Sequence, residues 1–225
     1  MTGDTDSHWV RWHRAYEDPE SFLSLRLRVV QSMVREFLDS EQPSHSGPVR
    51  IVSMCAGQGR DVIDVVSTHP RRHEVSALLV ELDPDLVAFA QERVAAAGLA
   101  GQIQVVEGDA SLCHLYRDLV PADLVLVCGV FGNISREDIT HTIEMLPGFC
   151  RKGSEVIWTR HRRPPDITPG IRADFATSGF EEVAFEAPDG YLLSVGRHRL
   201  DGAPSIPFDP TVTLFDFVGD GALPA

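Results

Sequence analysis

The residues best suited to chemistry surround two glycines, Gly57 and Gly59, which follow the short run V-R-I-V-S-M. From Asp61 onward, apolar residues recur at the three- and four-residue spacing of a helix. This order predicts a strand, a tight turn and a helix whose N-terminal N–H groups and positive dipole end face the turn. Glycine lets a ligand approach bare backbone there. The pattern favours a nucleotide-like ligand, although a strand–helix joint without a ligand gives the same signal.

Two acids stand where the next two predicted strands end. Glu81 closes an apolar run 22 positions after Gly59, and a carboxylate there can accept both ribose hydroxyls of a nucleotide on the glycine turn. Asp109 follows Gly108, where it could meet an adenine edge or cap a helix that we predict over 111–118. Both interpretations of Asp109 stay open.

A basic stretch, Arg160-His161-Arg162-Arg163, follows the fifth predicted strand. His161 is our candidate general base, because its ordinary pKa is near neutral and the neighbouring arginines would keep it unprotonated. We expect Arg160 to contact the substrate. A solvated basic loop without a catalytic role would give the same sequence.

These residues are positioned by strands that alternate with helices, which predicts a mostly parallel sheet with helices on both faces. Ligands bind beyond the carboxyl ends of such strands, and five unusual loops leave that edge here. A closing pair of strands reads as a hairpin. We predict strands at 49–54, 75–80, 103–106, 123–128, 155–159, 180–185 and 191–198, with a further short one at 212–218, and helices at 84–97, 111–118, 136–146 and 168–178.

Two helices precede the first strand. The first ends at Asp18-Pro19 and carries Trp12 and Tyr16 on one face, so we expect these rings to line the substrate pocket. The second is capped by Ser21 and runs to Leu38 with a broad apolar stripe. We therefore divide the chain into an N-terminal helical cap, residues 1–48, and a core domain, residues 49–225.

Composition narrows the class of protein. Apolar residues make up 43% of the 225 residues, and no run of eighteen of them could span a membrane. The N-terminus lacks the apolar segment of a secretory signal. The four cysteines form no C-x-x-C pair, so we expect reduced thiols and a cytoplasmic location. A formal net charge of −13 argues against nucleic acid as a partner and favours a small-molecule substrate.

The order M-C-A-G-Q-G-R, V-E-L-D-P and E-G-D-A, followed by a late fifth strand and a terminal hairpin, resembles the class I S-adenosylmethionine-dependent methyltransferases. The resemblance covers about residues 49–199. It implies a Rossmann-like, seven-stranded, mostly parallel sheet ending in an antiparallel hairpin, with two added N-terminal helices. It also implies S-adenosylmethionine as cofactor and S-adenosylhomocysteine as product.

The resemblance places the family's ribose-binding acid at Glu81 and its adenine-loop acid at Asp109. Gly57 and Gly59 match two of the three glycines of the first loop, whereas Ser53 and Cys55 replace its usual acid and first glycine. Backbone carbonyls near Cys55 and in 128–129 would then hold the cofactor's ammonium group. The cofactor contacts that we expect are Cys55, Ala56, Gly57, Gly59, Glu81, Leu82, Asp109, Ala110, Cys128, Gly129 and Arg28, with Arg26 as the alternative cation for the cofactor carboxylate.

The fourth strand is not followed by the N-P-P-aromatic turn of many amide or adenine N-methyltransferases, because Val130 and Phe131 stand there instead. Phe131 and Asn133 are therefore candidate substrate-pocket residues. They either contact the substrate or pack the loop. The strand also lacks the aspartates of metal-dependent catechol enzymes, so we expect no metal. The acceptor that we expect is small, flat and aromatic, neutral or cationic in charge, and methylated on oxygen, nitrogen or carbon.

Two alternatives remain at this stage. A nicotinamide-dependent oxidoreductase would need a third glycine at position 62, which is Val62, and would lack the hairpin ending. A non-catalytic nucleotide-binding regulator also fits the sequence.

Overall fold

The computed structural model describes Tyr16, residues 18–40 and residues 47–218. Within these ranges the chain forms a seven-stranded sheet in the order β3-β2-β1-β4-β5-β7-β6. The strands are β1 (Val49–Met54), β2 (Val75–Glu81), β3 (Ile103–Glu107), β4 (Ala122–Val127), β5 (Cys150–His161), β6 (Phe180–Glu186) and β7 (Leu193–Leu200).

Strands β1 to β5 are parallel, whereas β7 lies antiparallel between β5 and β6. The Rossmann-like sheet with a C-terminal antiparallel hairpin is therefore confirmed. The carboxyl ends of the five parallel strands meet at one edge. The strand order reverses between β1 and β4, and a crevice opens at such a reversal in parallel sheets.

Helices cover both faces of the sheet in the described part of the chain. They are α1 (Phe22–Asp39), α2 (Arg60–Thr68), α3 (Pro84–Ala96), α4 (Arg136–Phe149) and α5 (Thr168–Thr177). Apolar side chains of α1, α2 and α3 pack on one face, and those of α4 and α5 on the other. All six residues of β4 are buried, as expected for a central parallel strand. None of these helices is long and apolar enough to cross a membrane.

Two helix starts form as the sequence predicts. The Ser21 hydroxyl accepts the backbone N–H of Ser24 (3.1 Å) at the start of α1. Asp83 Oδ1 accepts the N–H groups of Asp85 and Leu86 (3.0 and 3.2 Å), and Pro84 occupies the first position of α3. Because Asp83 caps α3 so close to the end of β2, only Leu82 and Asp83 separate the two elements, and Glu81 is the last residue of the strand.

Three segments differ from the prediction. The helix expected over 111–118 is a 3₁₀ turn at Cys113–Tyr116. The segment 212–218 forms two isolated bridges, Leu112 with Thr213 and Ile134 with Phe217, instead of a strand. Helix α4 continues past Pro147 to Phe149, and β5 begins at the next residue. The buried side chains of Leu146 and Phe149 hold this last turn of α4 against the sheet.

Helix α1 is the described part of the predicted N-terminal cap. Its buried side chains, among them Val34 and Phe37, share one core cluster with β1, α2 and β7. The Gln31 amide also donates to the carbonyl of Arg60 (2.8 Å) at the start of α2. Helix α1 is thus fixed against the element that follows the glycine turn.

Candidate functional site

The loop from β1 to α2 reverses through left-handed backbone. Gly59 has φ +66°, and a Cβ atom there would lie 2.6 Å from Ile63 Cδ1 and 2.8 Å from Leu79 Cδ2. Glycine is therefore needed at this position for both the turn and the packing. Cys55, where the family usually has its first glycine, has φ +51°, the one positive φ of a non-glycine residue in the described ranges. Cys55, Ala56 and Gly57 line a cavity. Gly59, which we expected to contact the cofactor, does not line it, so its role is in the turn.

Glu81 joins the first loop to the end of β2. Its Oε2 accepts the backbone N–H of Gly57 (2.7 Å), and its Oε1 accepts those of Leu82 and Asp83 (both 2.9 Å). Burial raises the pKa of the Glu81 carboxyl, and these three hydrogen bonds oppose the rise. The carboxylate thus orders the glycine turn, and Glu81 and Leu82 both face the cavity.

The end of β3 lies beside Glu81, because Gly108 donates its N–H to the Glu81 carbonyl (2.9 Å). Asp109 Oδ1 accepts the N–H of Ser111 (2.9 Å), so the carboxylate caps a local turn and not the helix that we expected over 111–118. The Ala110 carbonyl accepts the buried Tyr116 hydroxyl (2.7 Å). Asp109 and Ala110 also line the cavity, so the capping role does not remove Asp109 from the site.

The loop after β4 is held open by side chains on both sides of Gly129. Gly129 donates its N–H to Thr159 Oγ1 (2.9 Å), and its carbonyl accepts the Asn133 amide (2.6 Å). Cys128, Gly129 and Asn133 line the cavity. Phe131 does not: its ring is fully buried and packs against Trp158 and Phe175, at centroid distances of 6.0 and 6.5 Å. The prediction that Phe131 contacts the substrate is corrected to its alternative, loop packing.

Arg160 and His161 stand at the end of β5 and line the cavity. Arg160 is held by its Nη1, which donates to the Phe131 carbonyl (2.5 Å). Burial and then the charges of Arg160 and Arg163 lower the pKa of His161, so the imidazole is neutral at pH 7. Its Nδ1 accepts the backbone N–H of Arg163 (3.3 Å), which assigns the ring proton to Nε2. A base role would need the other tautomer.

Tyr16, Arg26 and Asp61 form a polar group at another wall of the cavity. Arg26 donates to the Tyr16 hydroxyl (3.1 Å). Burial raises the pKa of Asp61 to about 6, and the nearby charge of Arg26 opposes the rise. Arg28, the cation that we favoured for the cofactor carboxylate, points away: it is exposed and donates to the Pro19 carbonyl (2.7 Å). Trp12 lies outside the described residues.

These walls enclose one cavity of about 1340 Å³ at the carboxyl edge of the sheet. This volume exceeds the several hundred cubic ångströms of a typical small-ligand site. A dinucleotide-sized molecule, or a mononucleoside cofactor together with a second small molecule, would fit. Glu81 and Asp109 lie at the β2–β3 side of the cavity, and Arg160 and His161 lie at the β5 side.

The thiols of the site are protonated. Burial raises the pKa of Cys55 and of Cys128, and nearby carboxylates raise both further. Among the described residues, no group of three or more histidine, cysteine and acidic side chains is placed to hold a metal ion.

Sequence reasoning missed several residues that line the cavity, namely Asp61, Thr159, Arg163, Tyr191 and Phe217. Asp61 had a local signal, since it stands in the first turn of the helix that follows the glycines. Thr159 and Arg163 flank residues that we singled out. Tyr191 and Phe217 gave no signal, because distant parts of the chain bring them to the site.

Comparisons with known proteins identify the family of the chain. The model of a family described as “Putative methyltransferase” matches residues 14–169. YnbC, an uncharacterized protein of Escherichia coli strain K12, is 27% identical over 121 residues, which are 53% of this chain. That stretch spans about a fifth (20%) of the length of YnbC.

Two solved structures share the fold. Magnesium protoporphyrin IX methyltransferase from Synechocystis PCC 6803, crystallised with S-adenosylmethionine, superimposes with a TM-score of 0.63 at 15% identity, over 84% of this chain and 89% of that one. A possible exported protein from Bordetella parapertussis superimposes with a TM-score of 0.60 at 16% identity, over 80% of this chain and 68% of that one.

Proposed function

Because the chain belongs to this family of methyltransferases, we propose that it transfers a methyl group from S-adenosylmethionine to a small, flat acceptor molecule. The observation that carries the proposal is the meeting of the four loops after β1 to β4 on one cavity, whose far wall carries the end of β5. This arrangement offers a nucleoside site and an acceptor site next to each other.

In this proposal, the nucleoside half of the cofactor lies between the ends of β2 and β3. Glu81 accepts the ribose hydroxyls while it keeps its three backbone hydrogen bonds, since each carboxylate oxygen can accept more than one donor. Leu82 covers the adenine ring, and Asp109 and Ala110 meet its edge. The sulfonium lies over the backbone of Ala56 and Gly57.

The methionine end of the cofactor is a zwitterion, and this cavity supplies both opposite charges. Arg26 would hold the carboxylate, and Asp61 would hold the ammonium group. Asp61 thereby replaces the acid that the family usually has at position 53, where this chain has a buried serine. Cys128 and Gly129 close this end of the cavity.

The acceptor lies beyond the cofactor, among Tyr16, Asn133, Arg160 and His161. Bound S-adenosylmethionine supplies an electrophilic methyl group. The chain's residues must then align the acceptor atom with that methyl group and exclude water. A hydroxyl acceptor also loses a proton, and His161 can accept one after it exchanges the Arg163 hydrogen bond for the Nδ1–H tautomer.

Calorimetry with S-adenosylhomocysteine tests the proposal. We expect binding by the wild type, and at least tenfold weaker binding by Glu81→Ala, because hydrogen bonds to a charged group contribute about 1.5–3 kcal/mol. Glu107→Ala is the matched control: Glu107 pairs with Glu81 in the sheet register, yet it is exposed and lies off the cavity.

Three results would contradict the proposal. Equal affinity of Glu81→Ala and Glu107→Ala would remove the ribose assignment. Binding of NADH in place of S-adenosylhomocysteine would favour the oxidoreductase, whereas binding without turnover over a broad panel of acceptors would favour the non-catalytic regulator. A cytoplasmic location and a small-molecule partner remain parts of this proposal.

A further inference from the structure

The acceptor wall contains an arginine without a carboxylate partner. The Arg160 side chain is partly buried, and burial lowers its pKa. Its Nη1 binds the Phe131 carbonyl, but its buried Nε has no hydrogen-bond partner among the described residues. A buried donor without a partner is unfavourable in the empty protein, and an anion in the cavity would bind the accessible part of the same guanidinium.

Neighbouring arginines differ from Arg160 in this respect. Arg136 is paired with Asp174 (2.6 Å), and Arg162 is paired with Asp166 (3.3 Å). Arg160 and Arg163 line the cavity and form no salt bridge within the described ranges. Asp166, which is paired with Arg162, is the nearby acid that acts on Arg160 and His161. One carboxylate among three arginines leaves this wall with a local positive potential, although the chain has a net charge of −13.

His161, between these two arginines, adds a hydrogen-bond donor. Because its Nδ1 accepts the Arg163 N–H, its Nε2 carries the proton and can donate. A carboxylate in this part of the cavity could therefore accept hydrogen bonds from a guanidinium and an imidazole. Among the described residues, no Asp or Glu side chain lines the cavity near the end of β5, so no acid of the lining occupies the position of such a carboxylate.

The same end of the cavity also offers apolar surface. Tyr191, Leu192 and Phe217 line it, and they are 42%, 52% and 42% exposed. Such large apolar side chains at the mouth of a cavity favour a ligand with an apolar body. The cationic wall and the apolar mouth together favour an amphipathic anion, and not the neutral or cationic acceptor that the net charge of the chain led us to expect.

We propose that the methyl acceptor is a carboxylate-bearing molecule with an apolar body, whose carboxylate binds Arg160 while its body contacts Tyr191, Leu192 and Phe217. The inference rests on the proposed function and names the acceptor class of that site. It makes Arg160 a specificity-determining residue. The carboxylate is the anchoring group, and the methylated atom is elsewhere on the acceptor or is one of its oxygens.

The test measures binding to the protein saturated with S-adenosylhomocysteine. The probes are 2-naphthoate and 2-naphthamide, which have one shape and differ in charge. We expect the wild type to bind 2-naphthoate at least tenfold more tightly than 2-naphthamide, the scale of a charge-assisted hydrogen bond. Arg160→Gln should remove this preference, and Arg160→Lys should retain part of it.

Arg162→Gln is the matched control, since Arg162 is adjacent, pairs with Asp166 and lies off the cavity. It should keep the wild-type preference. Equal binding of both probes by the wild type would overturn the inference, as would a tenfold loss of S-adenosylhomocysteine affinity in Arg160→Gln, which would assign Arg160 to the cofactor. Failure of every variant and of the wild type to bind S-adenosylhomocysteine would instead overturn the proposed function.

Discussion

Asp61 lies in the first turn of α2, where burial raises its pKa from 3.8 to about 6. The folded state therefore holds the Asp61 proton more tightly than the unfolded state between these values. By linkage, the stability that Asp61 contributes is complete below pH 3.8 and is lost as the pH rises through 6. The shift of about two units corresponds to about 3 kcal/mol. At neutral pH the Asp61 carboxylate is thus charged, and this charge lowers the free energy of unfolding of the protein without a ligand.

We predict that Asp61→Asn is more stable than the wild type at pH 7 and loses this advantage near pH 4. The amide keeps the Oδ1 contact with the Val62 N–H but carries no charge. Urea unfolding at both pH values measures the difference, which should change by up to about 3 kcal/mol. Asp85→Asn, an exposed acid in the first turn of α3, is the control.

Asp61→Asn should also bind S-adenosylhomocysteine about tenfold more weakly, because the ammonium group loses its counter-charge. If the variant is no more stable at pH 7 and binds as the wild type does, Asp61 is an ordinary surface acid.

Residues whose role depends on local backbone were predictable. Gly59, Glu81 and Asp109 stand at strand ends or turns that the sequence marks directly. Of Arg26 and Arg28, we favoured Arg28 for the site, whereas Arg26 is the one that lines the cavity, and the sequence contained a signal for this. The two are about 200° apart around the helix, and Arg26 stands three and four residues from the apolar Leu23 and Val30, on the face that packs inward.

Helix α1 shares a core with the sheet, which suggests a test at the level of the element. We predict that Phe37→Ala lowers the free energy of unfolding by about 3–5 kcal/mol, because the ring is buried beside β1 and β7 side chains. Phe22→Ala on the same helix, where the ring is 40% exposed, should change it by no more than about 0.5 kcal/mol.

Urea unfolding followed by circular dichroism measures both variants. An equally small effect of Phe37→Ala would mean that α1 can leave the sheet without unfolding it, as a separate N-terminal cap would. A large effect would place the boundary of any such cap before residue 22.

The alternation of strands and helices was predictable because each element buries its own periodic face. The junction of α4 and β5 was not, since Arg151-Lys152-Gly153 has the composition of a turn. Pairing with β4 decides it: Cys150 lies opposite Ala122, and Ser154 Oγ donates to the Ala122 carbonyl (2.7 Å). A single sequence shows no partner strand, so such non-local pairing stays hidden.

At the scale of the whole molecule, the buried His198 has the opposite effect to Asp61 on how stability changes with pH. His198 stacks on Phe175 (4.4 Å between centroids), accepts the Trp158 indole N–H at Nδ1 (3.2 Å), and has its pKa lowered by burial from 6.5 to about 4. Between pH 6.5 and about 4, His198 therefore binds a proton in the unfolded state but not in the folded state. Stability is lost as the pH falls from 6.5 to 4, by about 3 kcal/mol.

We predict that His198→Gln gains stability relative to the wild type as the pH falls from 7 to 4, which is opposite to the trend of Asp61→Asn. Glutamine can still accept the Trp158 N–H. Urea unfolding across this range measures both trends against the wild type, in which the two contributions largely offset each other. A difference between His198→Gln and wild type that does not change with pH would show that His198 titrates normally.

The raised pKa of all four cysteines makes the chain a convenient background for site-specific labelling. Burial raises the pKa of Cys55, Cys113, Cys128 and Cys150, and the thiolate is the form that reacts with maleimides. A cysteine introduced at exposed Asp189, between β6 and β7, should therefore take a fluorophore or spin label at neutral pH while the native thiols stay unmodified. A second cysteine introduced on the opposite side of the cavity mouth would then allow distances to be measured without removing any native cysteine.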